Sequence, residues 1–88
     1  MHDIIPDELE IAKQQLVLCK LQDHLLEKIE MKLHEMKKIA QYAADHELTL
    51  EERACQNKQL KEHQAVIKGL EKEYFELSLH WRNDIPWQ

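Results

Sequence analysis

An 88-residue chain with one glycine, two prolines, one serine and one threonine has too few turn formers for a sheet protein. Its 43% hydrophobic residues are too many and too regularly spaced for a disordered chain, and its length allows one small domain whose burial barely offsets chain entropy without a disulfide, a metal or a second copy. The net charge of −5 is spread evenly, with six basic and nine acidic side chains in residues 1–46 and six and eight in residues 47–88. Such a distribution excludes a basic block, so binding to nucleic acid or to an anionic membrane face is not expected.

No apolar run has the length of a membrane-spanning helix, and the first residues, with Asp3, Asp7 and Glu8, lack the basic and apolar regions of a signal peptide. The expected location is the cytoplasm, where Cys19 and Cys55 would be reduced thiols.

The pattern predicts an all-α protein: two long helices in an antiparallel, coiled-coil-like hairpin that dimerises to a four-helix bundle. The first helix is expected over residues 6–46. Pro6 suits a first helical position, where its missing N–H costs nothing, and Asp7, Glu8 and Glu10 place negative charge at the positive end of the helix dipole. Its apolar stripe runs along Ala12, Cys19, Leu26, Leu33 and Ala40 and along Ile29, Met36 and Ala43, widened by Ile11, Leu18, Leu25 and Ile39. Gln15 and Gln22 interrupt it.

The turn is expected over residues 47–49. Thr49 and Glu52 have the spacing of a capping box, in which hydroxyl and carboxylate each satisfy the other residue's exposed backbone N–H. The alternative is one nearly continuous helix that dimerises as a coiled coil.

The second helix is expected over residues 50–82, its seam alternating Leu60, Ile67, Tyr74 and Trp81 with His63, Leu70 and Leu77. Leu50 and Ala54 are out of phase with that seam, which predicts a stutter near Gln56 and Asn57. Pro86 ends the helix, and the tail over residues 83–88 is expected to fold back over Leu9, Ile11 and Ala12 and to half-bury Trp87. With a turn centred on Leu48, residue i of the first helix lies level with roughly residue 96 − i of the second.

Candidates for chemistry are few. Helical metal sites need ligands at i, i+3 or i, i+4, and His2, His24, His34, His46, His63 and His80 contain no such pair. His63 stands in an otherwise apolar seam, where a polar neighbour would let it set the helix register; the sharper alternative is a pH switch. Cys19 is read as an apolar filler of the seam, and by the hairpin geometry it cannot reach Cys55. Ser78 stands in mid-helix without the glycine-rich turn of a nucleophile, and Gly69 is read as a tolerated surface glycine. No enzyme activity, metal or cofactor is expected.

The apolar residues outside the seam carry the functional expectation. Val17 and Leu21 are one turn apart on the first helix, Phe75 and Leu79 one turn apart on the second, and the 96 − i relation sets both pairs at the same height. A contiguous exposed apolar patch marks an interface. These four residues are therefore the expected partner-binding site of a small helical adaptor or regulator, whose partners are a second copy and an unidentified protein target. The alternatives are a self-assembling structural component with no other partner, or an acidic inhibitor that mimics nucleic acid; interspersed lysines argue against the latter.

Overall fold

The computed structural model describes residues 8–84, with side chains over residues 8–79. Two helices make up the described chain, α1 over Glu8–Asp45 and α2 over Leu50–Asp84, joined by a four-residue connection. At 38 and 35 residues they are about 57 and 52 Å long. They pack against each other as an antiparallel pair: Gln22 meets Ser78 near the open end, and Glu35 meets His63 nearer the turn.

The turn forms as its chemistry requires. The backbone N–H of Thr49 donates to Glu52 Oε1 at 3.2 Å, and the N–H of Glu52 donates to Thr49 Oγ1 at 3.1 Å. Two donors that open every helix are thus satisfied reciprocally, and Glu51 and Glu52 add negative charge at the same end. On the other side of the turn, His46 Nδ1 lies 3.0 Å from the carbonyl oxygen of Tyr42, and the two rings stack with centroids 4.0 Å apart. That contact gives the last turn of α1 a partner for one of its open carbonyls.

α2 continues through Asp84, two residues past the expected end at residue 82. Pro86 disfavours helix in the residue immediately before it, and that restriction does not reach Asp84. Pro6, the expected start of the first helix, and the tail segment with Trp87 lie outside the described residues, as does the side chain of Trp81.

The seam of α2 is the expected one from Leu60 to Leu77, but the stutter expected near Gln56 and Asn57 does not form: half-buried Gln56 continues the same repeat. Leu60, His63, Ile67, Tyr74 and Leu77 are half-buried and Leu70 is buried, while Leu50 and Ala54 point out. The seam of α1 is rotated by one row from the expected one. Ile11, Gln15, Leu18, Gln22, Leu25, Ile29, Lys32, Met36 and Ile39 turn inward, a continuous three–four repeat. Ala12, Cys19, Leu26, Leu33 and Ala40, expected at the centre of the stripe, are all exposed.

The reason for the rotation lies across the seam. Polar residues of α1 find polar partners on α2: Gln22 Nε2 donates to Ser78 Oγ at 2.9 Å, and Ser78 in turn donates to the Tyr74 carbonyl at 3.1 Å. Glu35 Oε2 stands 3.4 Å from His63 Nε2 and 3.5 Å from Lys32 Nζ, so the half-buried imidazole and ammonium share one carboxylate. Polar residues that would weaken an isolated stripe are satisfied pairwise, and the bulkier Ile and Leu row is buried in preference to the Ala and Cys row.

These contacts also run two to four residues beyond the 96 − i relation. Helical side chains lean toward their own N-terminus. In an antiparallel pair those directions oppose each other, so the residues whose tips meet have Cα atoms displaced along the axis.

Candidate functional site

Two leucines form the whole buried core of the described residues, Leu25 at 6% and Leu70 at 9% exposure. Much of the remaining apolar surface faces water. Its most continuous part is the row Ala12, Cys19, Leu26, Leu33 and Ala40, which contains no charged residue and lies beside the seam for most of the length of α1. Leu26 and Leu33 at its centre are 43% and 52% exposed.

Two hollows open on this flank. Near the open end, Leu26, Ile29, Glu71, Tyr74, Phe75 and Ser78 line a groove of about 530 Å³. At the turn, a hollow of about 400 Å³ is lined in part by Ala40, Ala43, Asn57 and Leu60. The second lining repeats the first two heptads along: Ala40 follows Leu26, Ala43 follows Ile29, Asn57 precedes Glu71 and Leu60 precedes Tyr74. Both hollows therefore lie on one side of the hairpin, the Leu26 flank. The turn hollow exists because alanines stand where the open end has Leu and Ile.

Between the apolar row and the back of α1 lies a second row, Leu9, Leu16, Asp23, Glu30, Lys37 and Ala44. Its ends are apolar and its middle is charged. Leu50, 82% exposed at the start of α2, is two heptads before Gln64 and one before Asn57, which puts it on the same flank beside the turn.

All four residues of the expected patch are solvent-exposed, at 55% for Val17, 47% for Leu21, 61% for Phe75 and 40% for Leu79. The fold does not gather them on one side. Phe75 borders the groove on the Leu26 flank. Leu21 shares a helical row with Glu35, two heptads on, whose carboxylate meets His63 on the opposite flank. Val17 is one turn from Leu21 and Leu79 one turn from Phe75, on the outer faces of their helices. The row that sequence reasoning missed is the one it had assigned to the core. Its signal was present in residue size, because three of its five residues are Ala or Cys while four of five in the neighbouring row are Ile or Leu.

Cys19 and Cys55 are free thiols on the surface. Among the described residues no group of three His, Cys, Asp or Glu side chains is placed to hold a metal ion, and no helix is long and apolar enough to cross a membrane. Gly69 has open space where a Cβ would stand. No protein-family model matches the chain, and neither a curated protein nor a solved structure matches it.

Proposed function

We propose that the chain is a helical protein–protein interaction module, an adaptor or regulator whose core is completed by another polypeptide laid on the Leu26 flank. The observation that supports this reading is the imbalance between two buried leucines and a charge-free apolar row left in water along α1. A hairpin of this size has little core to begin with. Covering the row would remove two half-exposed leucines, Leu26 and Leu33, from water, each contributing up to about 1.5–3 kcal/mol when burial is complete.

Circular dichroism melting of the full chain from nanomolar to several hundred micromolar tests the reading. A melting temperature that rises with concentration identifies a second copy as the partner. Melting at the low end of the usual range or below it, unchanged by concentration, is the behaviour of a module awaiting a foreign partner. A melting temperature above about 65 °C at every concentration would describe a self-sufficient hairpin and would overturn the proposal.

A further inference from the structure

Resting on that reading, we propose that the polypeptide on the Leu26 flank is a second copy of this chain, docked with its α1 antiparallel to α1 and with Leu33 on the two-fold axis. A two-fold perpendicular to the helices sets α1 over α1 and α2 over α2, so every neighbouring pair in the resulting bundle is antiparallel. It also brings the apolar row onto itself. The alternative bundle, α1 over the partner's α2, would set that row against Asn57, Gln64, Glu71 and Ser78.

Heptad spacing allows only a few registers, and the residues choose among them. With Leu26 on the axis, Asp23 of each copy faces Glu30 of the other, two like-charge contacts on the outer edge of the interface. With the axis midway between Leu26 and Leu33, Asp23 faces Lys37, but Glu30 faces its own copy. With Leu33 on the axis, Glu30 faces Lys37 twice, Asp23 faces Ala44, and no like charges of α1 meet.

Shape selects the same register. Leu26 of one copy then stands opposite Ala40 of the other, the residue that borders the hollow at the turn. A large side chain meets a vacancy twice, and Leu33 meets Leu33 between them. The inner edge of the interface pairs Ile29 with Met36, both already half-buried in the seam. The α2 helices meet through the polar flank of Asn57, Gln64 and Glu71, which adds little apolar burial to the pair.

Charge reversal and cross-linking test the proposal on the full chain. Sedimentation should show a wild-type dimer in the micromolar range. Glu30→Lys turns both attractive contacts repulsive and should weaken it roughly ten-fold; adding Lys37→Glu should recover most of that loss. In a chain with Cys19→Ser and Cys55→Ser, Leu33→Cys should oxidise to a covalent dimer far faster than Met31→Cys, whose position faces away from the partner. A wild type that stays monomeric at 300 µM overturns the second copy while leaving the interaction-module reading in place. A dimer that is indifferent to Glu30→Lys, or that cross-links equally at both positions, shows that the copies meet on another face.

Discussion

The side-chain amide of Gln22 donates a 2.9 Å hydrogen bond to the hydroxyl of Ser78, across the seam and 56 residues away in sequence. It joins α1 to α2 near the open end, where the Ser78 hydroxyl also bonds the Tyr74 carbonyl. Ser78→Ala leaves a part-buried amide without this partner and should cost about 0.5–1.5 kcal/mol in urea unfolding. In a Gln22→Leu background the same change should cost almost nothing, because both polar groups are then gone. An undiminished cost in that background would mean that the serine acts through its own helix alone.

The capping box at Thr49 and Glu52 gives the second prediction. Thr49→Ala removes the side-chain acceptor for the Glu52 N–H and should destabilise the hairpin by about 0.5–2 kcal/mol in thermal melts. Glu52→Gln keeps an acceptor for the Thr49 N–H and should cost much less, whereas Glu52→Ala should approach the threonine variant. Equal effects of the Gln and Ala variants would place the contribution of Glu52 in its charge at the helix end.

The contrast between this turn and the seam of α1 shows what is legible in the sequence. A capping box is local: two residues three apart carry the whole signal, and the structure has both of its hydrogen bonds. The α2 seam is legible because its two rows, Leu60, Ile67 and Tyr74 and His63, Leu70 and Leu77, form a single stripe with no rival apolar row beside it. α1 carries two neighbouring apolar rows, and periodicity alone cannot rank them. The decision depends on where Gln22 and Glu35 find polar partners, and those partners, Ser78 and His63, are in place only once α2 is. The exposure of the Leu26 row was missed for the same reason, since a row assigned to the core is not counted as surface.

Gly69 offers a test with a local answer. It lies inside α2, its backbone is helical, and an added Cβ would meet nothing within 4 Å. Gly69→Ala should therefore stabilise the chain by about 0.5–1 kcal/mol, through lost freedom of the unfolded state and better helix propensity. A loss of stability or of self-association would reveal a helix packed closely on that face.

His63 tests whether a polar residue in the seam contributes energy or register. Its partner Glu35 is half-exposed and keeps Lys32 nearby, so His63→Leu strands no buried charge. Unfolding experiments should show stability unchanged or raised by about 1 kcal/mol. The cost should appear as a broader set of oligomers in sedimentation, because an all-apolar seam no longer favours one alignment. A large loss of stability would contradict this account and make the contact between His63 and Glu35 a main support of the hairpin.

The hollow at the turn separates what is good for one hairpin from what is good for two. Ala43 stands on the seam side of that hollow, about 400 Å³ in volume, with Ile39 and Leu60 among its other walls. Ala43→Leu can extend into this space without displacing a neighbour, and the added apolar atoms should stabilise an isolated hairpin by about 1–2 kcal/mol. In the proposed dimer the same space receives Leu26 of the second copy, and a leucine already there overpacks it. Melting at nanomolar concentration should therefore rise while the dimer weakens by roughly ten-fold, opposite signs from one substitution. Dimerisation strengthened by Ala43→Leu would show that the hollow is merely unfilled core and that Leu26 is seated elsewhere.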